Sequence, residues 1–167
     1  TNLVATGQQG KGYTYVWEVS NIKTLAILET GQKTVCQIAF VKQNGGRALV
    51  TIGEDQSVAI SDWKSQTVLN KTKGDAADCY HIATAAASLG STQFLAVGNK
   101  FVTFWSLNGR TLTSKKVRSG SKGPGTAKFV SCAQAGNSFY IGCDDGNIYV
   151  FSPEENKRSY AISDSFS

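Results

Sequence analysis

The side chains from which chemistry could start are few. His81 is the single histidine, within CYHIAT, and Cys79 precedes it by two positions. On an extended strand that spacing puts both side chains on one face, where a thiol beside an imidazole could act as nucleophile and base. A general base also needs its partner group within hydrogen-bond reach, and the preferred reading is a histidine that is packed or lines an interior channel. Glu54-Asp55 and Asp144-Asp145 are the acidic pairs. Calcium loops need more oxygen ligands at regular spacing, whereas aspartate in a tight turn is explained by bonds to its own backbone. The stretch GQQGKGYTY, with Gly7, Gly10, Lys11 and Gly12, suggests a phosphate cradle, but Gly12 and a β-rich segment stand where that motif requires Ser or Thr and a helix. Cys36, Cys79, Cys132 and Cys143 lie far apart with no CxxC pair. They read as buried, reduced thiols of a cytoplasmic protein rather than as a zinc site or a disulfide framework. Asn70-Lys71-Thr72 is the one secretory hint, a tripeptide frequent by chance. These residues predict no catalytic centre, no cofactor and no metal.

The run from Arg110 to Lys128 stands out by charge. It carries Arg110, Lys115, Lys116, Arg118, Lys122 and Lys128 with no Asp or Glu, around a Gly- and Ser-rich centre, SGSKGPGT. Long basic loops on a rigid scaffold are places where acidic partners dock. A solvated edge strand followed by a loop is the competing explanation. The net charge of +5 leans the same way and says nothing about fold.

The elements that position these residues follow from a repeat. LVATG, ALVTIG, FLAVG and FYIG end at Gly7, Gly53, Gly98 and Gly142, spaced 46, 45 and 44 residues apart. A second apolar segment follows each, and YVWEV, AISDW, TFWSL and YVFSP align Trp17, Ser61, Trp105 and Phe151 at spacings of 44, 44 and 46. Polar outer strands come next (TLAILE, QTVLNKT, LTSKKVR, SYAIS), and inner strands open the following units (TVCQIAF, DCYHIAT, KFVSCAQA). Units of about 40 to 45 residues with four strands each are the pattern of a WD-type β-propeller. The inner and middle strands are apolar at nearly every position, as expected of sheets covered on both faces. The outer strands carry the cations that protect an exposed edge.

The expected fold is therefore all-β, a propeller segment of about three and three-quarter four-stranded antiparallel blades in an incomplete ring. The blades lie near residues 1–30, 31–74, 75–119 and 126–167, and the chain starts inside the fold. Asp145-Gly146 is expected to supply two positive-φ residues to a hairpin turn. The alanine-rich IATAAAS is assigned to an inner strand and its turn rather than to a helix. Tyr80 follows Cys36 by 44 residues and Val130 follows Tyr80 by 50, so the third connection between blades is the long one. No apolar run approaches the roughly 18 residues of a membrane span, and the chain reads as soluble. Open faces on the end blades predict self-association of the segment.

LVATGQ, YVW, VCQIAF, NGG, ISDW, VGNKFVTFWSLNGRTLTSKK, KFVSC and DDGNIYVFS, taken in order, resemble the echinoderm microtubule-associated protein-like family near the start of its first propeller. The resemblance implies tandem WD-type propellers in a larger protein that associates with tubulin or microtubules, hence a non-enzymatic, cytoplasmic and cytoskeletal scaffold. Ser61 and Phe151 replace the aligned tryptophan, and the Gly-His pair common in WD repeats is missing from every blade. That puts in question the hydrogen-bonded tetrad of standard blades. A general assembly scaffold and an RNA-associated WD-repeat protein are the alternatives. The second is disfavoured because the aromatics occupy strand positions that packing needs rather than surfaces for base stacking.

Overall fold

A computed structural model describes residues 2–41, 46–75, 78–84, 92–117, 128–151 and 161–162. Three strands form the first sheet: β1 (Leu3–Gly7), β2 (Tyr13–Glu18) and β3 (Lys23–Glu29). The second contains β4 (Val35–Val41), β5 (Ala48–Gly53), β6 (Ser57–Asp62) and β7 (Thr67–Lys73). The third contains β8 (Cys79–Thr84), β9 (Thr92–Gly98), β10 (Phe101–Asn108) and β11 (Thr111–Lys116). The fourth contains β12 (Phe129–Ala135), β13 (Ser138–Cys143), β14 (Ile148–Phe151) and β15 (Ala161–Ile162). Every pairing is antiparallel and follows chain order, so each sheet is a meander. The expectation of three and three-quarter blades holds, and the arc is open. Ile82–Thr84 of the alanine-rich segment lie in β8, and residues 85–88 fall outside the described ones.

The stacking of blades explains the apolar composition. β5 is buried along its whole length because blade 2 is covered on both faces. Val16, Ala26 and Leu28 of blade 1 meet Leu49 and Trp63 of blade 2. Val50, Ile52, Val58 and Ile60 of blade 2 meet Ile82, Phe94, Ala96 and Trp105 of blade 3. Leu95, Val97 and Val102 of blade 3 meet Phe139, Ile141 and Tyr149 of blade 4. Each fully buried side chain of this size contributes about 1.5–3 kcal/mol. Phe94 stacks on Trp105 with centroids 6.0 Å apart, and Phe104 wedges between Phe139 and Phe151 at 5.9 and 5.7 Å.

The hydrogen-bond register corrects the repeat by one residue at each end. Gln8, Gly53, Gly98 and Cys143 are the equivalent positions that close the second strand of each blade. The amides just beyond three of them, on Glu54, Asn99 and Asp144, donate to Thr34, Asp78 and Lys128 carbonyls of the inner-strand starts. The spacing is 45 residues throughout. Gly7 and Gly142 therefore stand one position early, and the thiol of Cys143 occupies a site that is glycine in blades 2 and 3. Trp17, Ser61, Trp105 and Phe151 are equivalent as expected, lying opposite Val4, Leu49, Phe94 and Phe139.

Each inner strand contains a bulge. Cys36, Tyr80 and Val130 are the extra residues, between Val35 and Gln37, Cys79 and His81, and Phe129 and Ser131. A bulge leaves one residue unpaired and shifts the alternation of side chains beyond it. The turn at Asp144–Asn147 also differs from expectation. Gly146 alone has positive φ, at 82°, and its amide donates to the Cys143 carbonyl. A turn followed by one left-handed residue is thus used, and Gln56 at φ 63° does the same in blade 2.

A buried polar residue in the linker joins blade 1 to blade 2. Gln32, after β3, is almost fully buried. Its Oε1 accepts from the Thr51 hydroxyl at 2.6 Å and lies 2.8 Å from the Thr30 hydroxyl, which is also 2.9 Å from the Gly12 carbonyl. Its Nε2 donates to the Ser57 carbonyl at 2.8 Å. Such bonds contribute about 1 kcal/mol each, but a buried group stripped of its partner costs about 1–3 kcal/mol. Gln32→Ala is expected to lower the unfolding free energy by about 2–4 kcal/mol in a urea titration, and a loss below a few tenths of a kcal/mol would show that the junction does not carry this load.

Candidate protein-binding surface

The cations of the basic run do not form one patch. Arg110 sits in the turn before β11, and Lys115 and Lys116 at the strand's far end. At about 3.3 Å per residue, Arg110 and Lys116 are separated by roughly 20 Å. Lys128 stands at the start of β12, on the same side as Lys116, where it bridges to Asn99. Arg118 and Lys122 lie outside the described residues.

Space also supplies the carboxylates that the run lacks in sequence. Lys116 Nζ is 2.5 Å from Asp75 Oδ1, and the Asp75 side chain is only 6% exposed. The other Asp75 oxygen accepts a hydrogen bond from the Thr103 hydroxyl. Asp75 stands in the linker after β7, so the ion pair ties that linker to blade 3. The Lys128 amide donates to Asp144 Oδ1 at 2.8 Å. Lys100, in the turn beside Asn99, is exposed at this end of blades 3 and 4 together with Lys115, Lys116 and Lys128, and Arg110 is exposed at the other end.

Cys79 and His81 do not share a face. The bulge at Tyr80 turns Cys79 toward the core between blades 2 and 3, while His81 faces blade 4. His81 Nδ1 accepts from the Cys132 amide at 3.3 Å and lies 3.5 Å from its Sγ. The sequence thus pointed to the wrong cysteine, because the two-residue period holds only for an unbulged strand. Burial pushes both the Cys79 and the Cys132 thiols up to about 12, against a nucleophilic role. Cys36 corrects the expectation of four buried thiols: it is the bulge residue of β4 and is exposed.

The acidic pairs and the glycine-rich stretch have structural roles. Asp55 Oδ1 accepts from the Ser57 amide and hydroxyl at 3.3 and 2.7 Å. Asp145 accepts from the Asn147 amide at 2.9 Å and the Tyr149 hydroxyl at 2.7 Å. Partial burial pulls the Asp145 carboxyl up, but these donors hold it below the usual range, and burial together with that carboxylate pushes Tyr149 up to about 12. Gly12 is buried against the linker, where an added Cβ would lie 2.0 Å from the Gln32 carbonyl oxygen. Among the described residues no three His, Cys, Asp or Glu side chains converge as metal ligands, and no helix is long and apolar enough to cross a membrane. Gln32 and Asp75 escaped the sequence reading, although Gly31-Gln32 and Gly74-Asp75 recur 43 residues apart.

No protein-family model matches the chain. The 77 kDa echinoderm microtubule-associated protein of Strongylocentrotus purpuratus is 30% identical over 95% of the chain and 24% of that protein. Human echinoderm microtubule-associated protein-like 2 is 26% identical over 95% of the chain and 26% of its own length. The chain is thus similar to echinoderm microtubule-associated proteins over 95% of its length. It spans about a quarter of the length of these relatives. Among solved structures, the β-propeller domain of Cps50 (Swd1) from Myceliophthora thermophila superposes with a TM-score of 0.79 at 13% identity, over 98% of the chain and 52% of that domain. The fold is accordingly a WD-type propeller arc.

Thiol labelling checks the placement of the cysteines. At pH 8, iodoacetamide is expected to modify Cys36 in the native protein and Cys79, Cys132 and Cys143 only after denaturation, read by peptide mass spectrometry. Native labelling of Cys132 as fast as Cys36 would contradict the geometry. The folded state keeps the Cys79 and Cys132 protons to about 12, whereas an ordinary thiol releases its proton near 9.0. Above pH 9 the unfolded chain therefore binds fewer protons than the native one, and stability should fall as pH rises.

Proposed function

We propose that the chain is part of a protein-binding scaffold directed at tubulin or the microtubule surface in the cytoplasm. The observation that carries the reading is the ordered similarity to microtubule-associated proteins over 95% of the chain. The structure supports it physically in two ways. The blades form a rigid stack whose aromatic side chains pack between sheets, which leaves binding to the exposed ends and edges. Lys115 and Lys128 are exposed at one end of blades 3 and 4, next to the segment that contains Arg118 and Lys122. An acidic surface such as the tubulin tail is attracted there, each exposed contact adding about 0.2–1 kcal/mol and weakening as salt shortens the range of charge interactions.

Lys116 is exposed at the same end, but its ammonium also holds Asp75 of the linker after β7, so it is kept out of the first pair of substitutions to leave that linker undisturbed. Co-sedimentation with stabilised microtubules at low ionic strength tests the reading. The expected result is pelleting that weakens as salt is raised, and protein remaining in the supernatant at low salt would overturn it. Lys115→Glu with Lys128→Glu is expected to weaken pelleting several-fold while leaving the thermal transition in place. Arg118→Glu with Lys122→Glu tests the neighbouring segment separately. Unchanged pelleting in both double variants would move the contact elsewhere on the scaffold.

A further inference from the structure

A recess of about 80 Å³ opens between blades 2 and 3, at the end where β5 turns into β6 and the linker after β7 enters β8. Blade 1 packs on the far side of blade 2 and blade 4 on the far side of blade 3, so the recess is formed wholly inside the arc. Its lining grades from apolar to acidic. Ile52, Val58 and Trp105 are buried, and the half-buried Phe101 ring completes the apolar wall. Cys36, Glu54 and Asp78 are exposed at the mouth.

Backbone bonds, rather than side chains, hold the mouth in shape. The Gly74 amide donates to the Gln56 carbonyl at 2.7 Å and the Asn99 amide to the Asp78 carbonyl at 3.0 Å, which fixes the two ends of the linker against the turns of blades 2 and 3. Gly74 permits the first contact, since an added Cβ would lie 2.8 Å from the Gln56 carbonyl oxygen. The carboxylates of Glu54 and Asp78 are left to solvent, and among the described residues neither forms an ion pair. Asp75 also lines the recess, but Lys116 meets its charge. The thiol at the mouth senses the surplus: burial first, then the nearby charges of Glu54, Asp78 and Asp55, push Cys36 up from its ordinary value. An apolar recess beneath two unneutralised carboxylates is complementary to a cation with a broad apolar face.

We infer that this recess receives an arginine side chain of a protein partner, its guanidinium face against the apolar wall and its N–H groups toward Glu54 and Asp78. The fit is one of size and of charge. A cavity of about 150 Å³ holds benzene, so about 80 Å³ suits three or four heavy atoms, the size of a guanidinium. That group is planar, weakly hydrated and able to stack on an aromatic ring such as Phe101 while its edge donates to carboxylates, whereas a lysine ammonium is a strongly hydrated point charge. The recess lies at the same end as Lys100 and Lys128, since Asn99 is bonded to Asp78 and bridged to Lys128. A partner segment seated on this end meets an acidic socket beside a cationic strip. The inference does not depend on the partner being tubulin.

Proton–nitrogen NMR of the purified 167-residue chain, titrated with N-acetylarginine amide, tests the inference, with circular dichroism to verify folding. The expected result is saturable binding in the millimolar range, as a single small group allows, with shifts at Gly53, Gly74 and the Trp105 indole. N-acetylcitrulline amide keeps the shape without the charge and is expected to bind at least tenfold more weakly. Glu54→Gln with Asp78→Asn is expected to weaken arginine binding at least fivefold and to leave the thermal transition in place, because both side chains are exposed. Should that pair misfold, Glu54→Gln alone is expected to weaken binding at least twofold. Equal binding of the citrulline probe would overturn the inference, as would a folded double variant that binds like wild type. Tighter binding of N-acetyllysine amide would overturn the assignment to a guanidinium, and absence of saturation at tens of millimolar would remove the recess as a site.

Discussion

A blade is a sheet with two apolar faces, and the whole molecule depends on covering both. A helix can bury one stripe and wet the other, but β5 and β6 are buried at almost every residue and have no face to give to water. Each sheet therefore requires a neighbour on either side, and the neighbour must match it in register. The strict 45-residue interval between Gln8, Gly53, Gly98 and Cys143 expresses that requirement in sequence. The chain has to return to the same level of the stack each time.

Stacking alone would let sheets slide, and two devices fix them. The bulges at Cys36, Tyr80 and Val130 add twist where each inner strand begins. Polar linker residues then pin one blade to the next. Gln32 binds Thr51 and Ser57 of blade 2 from a linker anchored beside Gly12, and Asp75 binds Thr103 and Lys116 of blade 3. The two pins use different chemistry at positions 43 residues apart. The amide satisfies donors and acceptors together, whereas the carboxylate needs the Lys116 ammonium to offset its desolvation. Thus, although the Gly-His pair is missing, the junctions of blade 1 with blade 2 and of blade 2 with blade 3 each keep a buried polar link.

Strand identities were legible because two-sided burial writes long apolar runs, and turn residues separate them. All four units and the alignment of Trp17 with Ser61, Trp105 and Phe151 followed from those runs. Register at the ends of strands was not legible to the residue. Gly142 resembles Gly98 by type, yet Cys143 occupies the equivalent place, and only hydrogen bonds distinguish them. The bulges were hidden for a related reason: an inserted residue leaves no compositional mark. That concealment separated Cys79 from His81, exposed Cys36 and brought His81 to Cys132.

The basic run shows how a linear reading of charge goes astray on a meander. Six cations without an acid look like one surface when written in a line. Folding turns that line into a strand with a turn at one end and a linker at the other, so Arg110 is carried to the opposite end from Lys116 and Lys128. The same folding brings in Asp75 and Asp144 from blades 2 and 4, which neutralise or shape part of the cluster. What remains is a smaller set of exposed cations held at fixed spacing by rigid sheets. Attraction to an acidic partner then depends on the spacing of charge along the partner as well as on its sign, because the scaffold cannot gather its cations toward a single point.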